Sequence, residues 1–199
     1  AACVALAHMY SFLSGTASDG ITYAVHKCMS EQFDDWLDFY GMSDADWAGC
    51  LKTRRSTAGY FVSMLGGPIA WGSKVMATIA TSSMESEYMA AYYLGQTIVY
   101  IRNMLDEIGL PLSKPTPFFM DAMAAIQALK NGHLSARVKH IEVKSRWLLQ
   151  LDGREMVGYI HIRKGDMSPD LMTIMPAYAA IWNALRAKNC EDAGESSKA

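Results

Sequence analysis

Residues 41–67 read GMSDADWAGCLKTRRSTAGYFVSMLGG. The stretch opens with two acids two positions apart, Asp44 and Asp46, and passes through a basic segment from Gly49 to Arg55. A β-prone run, Gly59 to Leu65, then leads back. Such runs on either side of a turn-rich segment predict an antiparallel strand pair. Side chains alternate between faces along a strand, so Asp44 and Asp46 share a face if the first strand is regular. Carboxylates among apolar neighbours need compensation, because burying them unpaired is costly. A bound cation is one form of compensation. Spacing alone does not separate the two acids.

Downstream, Gly66-Gly67 supplies turn chemistry, since glycine tolerates positive φ. Pro68 stands at the start of a third strand, Ile69 to Lys74, where its missing N–H does least harm. Thr78 to Ser83 leads to a helix start. Ser82 is a suitable N-cap, and Glu85 three positions on completes a capping box. The helix then carries Glu87, Ala91, Leu94, Ile98, Ile101, Leu105 and Ile108 on one stripe. Gly109 and Pro111 stop it. Glu87 therefore heads an apolar face, an unusual place for a carboxylate, whereas Glu85 has a local capping task.

Thr116 to Met120 reads as a short buried strand that delivers Asp121. Helices are expected over Ala122–Lys130 and Arg137–Leu151, and a strand over Val157–Ile162. Ser168-Pro169-Asp170 opens another helix, with Ser168 as N-cap and Pro169 at the first helical position. Pro176 breaks or kinks it; Ala177 to Lys188 resumes, and the polar tail from Asn189 is expected to be disordered. Upstream, Leu6 to Leu13 has helical spacing ended by Gly15, and Gly20 to Val25 reads as a strand. From Gly41 the order is three strands, helix, strand, helices, strand, helix, which predicts an α/β fold, a mixed sheet with helices packed on it.

The chain has 199 residues, which fits one medium domain with an appendage. An apolar share of 51% excludes wholesale disorder, and a net charge of −2 excludes a chain-wide basic footprint for nucleic acid. Any such role rests on local basic clusters. Cys3, Cys28, Cys50 and Cys190 are far apart and form no Cys-x-x-Cys pair, which favours a reducing, intracellular compartment over secretion. The N-terminal run is too short to span a bilayer and lacks a basic n-region, so no membrane partner is expected. Lacking an initiator Met and starting in mid-pattern, the chain is expected to be a fragment of a longer polypeptide.

Asp44, Glu87, Asp121 and Asp170 stand on strands or near helix starts. If they converge, they repel one another without a cation, and magnesium prefers hard oxygen ligands of this kind. Two ions about 4 Å apart activate water and steady the leaving oxygen of a phosphodiester. Read singly, Asp121 serves equally well as a helix cap, Asp170 as a complement to a helix dipole, and Asp46 as a solvated strand acid. Glu87 is the hardest to explain otherwise.

Taken together, SDADWAG with RRSTAGY (43–60), GGPIAW (66–71), SSMESEYMAA (82–91) and RVKHIEV (137–143) resemble the ribonuclease H domain of copia-type retrotransposon Pol polyproteins. MDAMAAIQAL (120–129) and SPDLMT (168–173) continue the order, and MYSFLSGTASDGITY looks like the segment linking it to the reverse transcriptase part. The resemblance implies a ribonuclease H-like fold with its first three strands antiparallel. It implies residues 1–40 as the end of the connection segment, 41–176 as the ribonuclease H-like domain, and 177–199 as a C-terminal helix and tail. It chooses Asp44 over Asp46 and implies Asp44, Glu87, Asp121 and Asp170 as catalytic metal ligands for two Mg2+ ions, with Mn2+ as a substitute. The implied activity is endonucleolytic cleavage of the RNA strand of an RNA–DNA hybrid, in company with the reverse transcriptase portion. Ala122 and Met123 depart from the family's Asn and Gln after the third acid, and Ile174 from its Lys after the fourth. These losses motivate an alternative, a degenerate module that binds nucleic acid or a protein partner without turnover. An integrase-like nuclease would share the architecture, but the early Glu87 argues against it.

For substrate contacts, Lys52, Arg54 and Arg55 in the first turn and Arg137 and Lys139, with Lys144 and Arg146, on a helix are the basic clusters available to phosphates. For the second cluster a solvated helix face is an equal reading. Trp47 and Trp71 are expected in the core rather than in contact with substrate. His140 is expected to be structural, and His133 lies in a loop where it could assist product release.

Overall fold

The computed structural model describes residues 38–131 and 139–163, with scattered positions between 10 and 23. Three strands come first: β1 (Tyr40–Asp46), β2 (Thr57–Met64) and β3 (Gly67–Val75). They pair antiparallel, with Asp44 opposite Gly59 and Phe61 opposite Trp71. The β2–β3 turn uses Leu65 and Gly66, both at positive φ, the conformation that suits the right-handed twist of a two-residue hairpin. It therefore falls one residue earlier than Gly66-Gly67, and Gly67 already belongs to β3.

Helix α1 (Ser83–Glu107) then crosses the sheet and leads to β4 (Thr116–Met120). Helices α2 (Met123–Asn131) and α3 (Lys139–Gly153) lead to β5 (Val157–His161). The sheet order is β3-β2-β1-β4-β5, with β1–β4 and β4–β5 parallel. Parallel neighbours require a crossover, and the helices supply it. This is the mixed sheet expected from residue order.

The core lies between the sheet and α1 with α3. Leu94, Ile98, Ile101 and Leu105 of α1 pack with Val62, Phe118, Leu148 and Tyr159. Close approach is built in by two glycines. A Cβ on Gly41 would sit 2.7 Å from a Leu94 methyl, and one on Gly95 3.0 Å from the Trp147 ring. The first lets α1 settle on β1, and the second lets α3 settle on α1.

The cap of α1 differs in detail from a capping box. Ser82 Oγ accepts from the Glu85 amide at 3.2 Å. The Glu85 carboxylate, however, accepts from the amide and hydroxyl of Thr81 at 2.7 and 2.8 Å rather than from Ser82. The apolar stripe ends at Leu105. Ile108 is the C-cap and is 64% exposed, because the helix stops before its side chain returns to the sheet.

Trp47 and Trp71 correct the expectation that both pack in the core; they are 50% and 52% exposed. Trp71 is on the edge strand β3, and Trp47 follows the end of β1 and donates its indole N–H to the Ala80 carbonyl at 3.1 Å. Among the described residues no helix is long and apolar enough to cross a membrane. The helices expected over 6–13, 168–176 and 177–188, the strand over 20–25 and the tail from Asn189 lie wholly or largely outside the described residues.

Candidate metal centre

Register brings two of the acids together. Ser43 of β1 pairs with Met120 of β4 in a parallel ladder. The residues that follow, Asp44 and Asp121, therefore lie side by side at the same end of β1 and β4, where neighbouring strands are about 4.8 Å apart. Crevices at the carboxyl ends of parallel strands are common ligand sites in α/β sheets. Glu87 comes from the second turn of α1, held against β1 by the contact at Gly41.

Asp44, Glu87 and Asp121 each present a carboxylate oxygen within 4.8 Å of the other two. Asp44 is 3% and Glu87 8% exposed; Asp121 is half-buried at the rim. Three hard oxygen donors at this spacing, open to solvent on one side, fit a divalent cation of the magnesium type. Such a cation takes a few carboxylates and keeps several waters. The donor set holds no sulfur or imidazole, which argues against a zinc-type centre.

Asp46 is not part of this group. It is a partly exposed acid at the last residue of β1, and its carboxyl group lies against Gly49, over the turn that follows. Asp170, Arg137 and His133 lie outside the described residues. Lys139 is the first residue of α3. Lys52, Arg54 and Arg55 are exposed on the β1–β2 connection, with Arg54 at positive φ.

Sequence reasoning passed over His161. It ends β5 and pairs with Met120. Its Nε2 lies 3.1 Å from the Asp121 carbonyl; a carbonyl only accepts, so Nε2 carries the proton. The contact fixes the backbone that presents Asp121. A histidine at the end of a strand next to an acid-bearing strand was the available signal, but it needs the β4–β5 pairing to be read.

No protein-family profile matches the chain. The retrovirus-related Pol polyprotein from transposon TNT 1-94 of Nicotiana tabacum is 34% identical over 133 residues, covering 67% of this chain and 10% of the relative. That from transposon RE2 of Arabidopsis thaliana is 28% identical over 169 residues, covering 85% of this chain and 11% of the relative. The crystal structure of LC11-RNase H1 in complex with RNA/DNA hybrid superposes with a TM-score of 0.50 at 12% identity, covering 72% of this chain and 99% of that one. The chain is a ribonuclease H-fold domain of the transposon Pol type.

This ribonuclease H-fold domain spans about a tenth of the length of the curated relatives it matches. The solved likeness defines the fold, with its mixed five-stranded sheet.

Proposed function

We propose that the domain is a copia-type endonuclease that hydrolyses the RNA strand of RNA–DNA hybrids, with divalent cations held by Asp44, Glu87, Asp121 and Asp170. The observation that carries this reading is the approach of three carboxylate oxygens to within 4.8 Å of one another. When bound, two Mg2+ ions, or Mn2+ in their place, would supply an activated water and counter-charge for the phosphodiester oxygens. The chain's own part is to hold those charges still. Asp44 and Glu87 are buried and cannot be displaced far without disturbing β1 and α1, whereas Asp121 at the rim faces incoming substrate. Water adds to phosphorus, the bond to the 3′ oxygen breaks, and that oxygen takes up a proton. The products are a 5′-phosphate and a 3′-hydroxyl.

Lys52, Arg54 and Arg55, with Arg137 and Lys139, supply phosphate contacts in this reading. Residues 41–176 form the nuclease domain, 1–40 end the connection to a reverse transcriptase portion, and 177–199 form a C-terminal extension. The domain works inside the cell as part of that polyprotein. It is tested by incubating labelled hybrid with magnesium. Cleavage that disappears in EDTA and with Asp121→Asn supports the reading, and pure folded protein that leaves the hybrid intact with both metals refutes it.

One observation favours a second reading, a module that binds without turnover. Ala122 packs against the core and Met123 is exposed, so neither neighbour brings a polar group to orient Asp121. Calorimetric titration with magnesium separates the two, since a module without turnover need bind no metal.

A further inference from the structure

The structure assigns a site for one backbone phosphate of a nucleic acid to the flank of α1, where Lys74 lies over Tyr93 and Lys144 over Tyr92. This deepens the reading above: it rests on nucleic acid being the ligand, though not on turnover.

Lys74, on β3, places Nζ 4.7 Å from the centre of the Tyr93 ring. Lys144, on α3, places Nζ 5.2 Å from the centre of the Tyr92 ring. The rings are sequence neighbours with centroids 6.1 Å apart. Tyr92 is fixed by an edge contact with Trp147 at 5.2 Å and accepts from Gln96 at 3.2 Å. The platform beneath the ammonium groups is therefore held from two sides.

The plain explanation is that each lysine lies over a ring for its cation–π attraction, about 0.5–1 kcal/mol at an exposed site. That accounts for each lysine separately. It does not account for bringing two like charges to one patch. Lys144 is partly withdrawn from water, with Nζ 3.2 Å from Met89 Sδ, and a thioether is a weak acceptor for an ammonium. Among the described residues neither lysine forms an ion pair. Burial and then the charge of Lys74 hold the Lys144 ammonium below the usual lysine range, so the two charges sense each other. An anion seated between them relieves the repulsion and replaces lost hydration.

Phosphate suits the pair because lysine binds it as a point charge from rotatable donors. A duplex is the favoured source on geometry. Tyr93 is six residues beyond Glu87, roughly 9 Å along the helix axis. Each strand of a duplex offers a phosphate about every 3.4 Å of its axis, so one held at the carboxylates carries further phosphates past this part of α1.

The test is binding of a fluorescent RNA–DNA hybrid in EDTA, which removes turnover from the measurement, over a series of salt concentrations. The wild type is compared with Lys74→Ala/Lys144→Ala and with Lys74→Arg/Lys144→Arg. Lys74→Gln/Lys144→Met, which keeps the stems, serves if the alanine variant melts early. The expected result is affinity lower by about tenfold in the neutral variants and a log–log salt slope shallower by about 0.9, with the arginine variant close to wild type. Equal affinity and slope in wild type and neutral variants overturn the site, as does failure of the wild type to bind hybrid. Competition by inorganic phosphate without a lysine effect on hybrid binding marks a free-anion site and overturns the nucleic-acid assignment. Lysine-dependent binding by a protein that never cleaves hybrid with magnesium sustains this site and defeats the hydrolytic reading alone.

Discussion

At the scale of residues, the acids carry different loads. Asp44 and Glu87 are buried, and Asp121 is at the rim. A cation that binds only the folded state stabilises it by about 2.7 kcal/mol at a hundredfold excess over its dissociation constant. Magnesium should therefore raise the melting temperature of the wild type, and Asp44→Asn should lose most of that rise; scanning calorimetry with and without EDTA reads it. His161→Ala should lower cleavage with little change in hybrid affinity, because the ring holds the Asp121 backbone rather than substrate; a kcat–KM comparison shows it. Spacing could not choose between Asp44 and Asp46, since both lie on one strand face. What separates them is the β1–β4 ladder and the turn at Gly49, neither of which is visible in a local window. His161 escaped notice for the same reason.

At the scale of elements, most boundaries were legible because local signals agreed. Ser82 caps α1 and Thr116–Met120 is a strand, as the residues suggest. Ser82→Ala should cost about 1 kcal/mol, measured by urea unfolding. Gly41→Ala should cost about 1–3 kcal/mol by overpacking against Leu94 and Ile98, and should lower cleavage by shifting α1 and Glu87. Two buried phenols set the alkaline response, and one of them ties elements together. Tyr159 of β5 donates to the Leu148 carbonyl of α3 at 2.8 Å, and burial pushes the hydroxyls of Tyr159 and Tyr88 upward. Below about pH 10 both are protonated folded or unfolded. Above it the unfolded chain releases protons that the folded chain retains, so stability falls as pH rises. Tyr159→Phe should lose about 1 kcal/mol at neutral pH and show a shallower alkaline decline, read from urea midpoints across pH. Trp47 and Trp71 are exposed against expectation because hydrophobicity reports what burial would gain. It does not report which side of an edge strand or turn is covered.

At the scale of the molecule, the net charge of −2 gives no general attraction to nucleic acid, so binding must depend on local contacts. The Lys52→Ala/Arg54→Ala/Arg55→Ala variant should bind hybrid more weakly with a shallower salt dependence than wild type, by titration at several salt concentrations. The layered sheet-and-helix plan could be read from element order. The pairing of Lys74 with Lys144 could not, because it arises only when β3 and α3 are folded against α1. Anomalous diffraction from crystals soaked in Mn2+ tests the three-carboxylate centre itself. The expected result is a manganese peak bounded by oxygens of Asp44, Glu87 and Asp121. A fully soaked crystal with no peak there and the three side chains in place would contradict it.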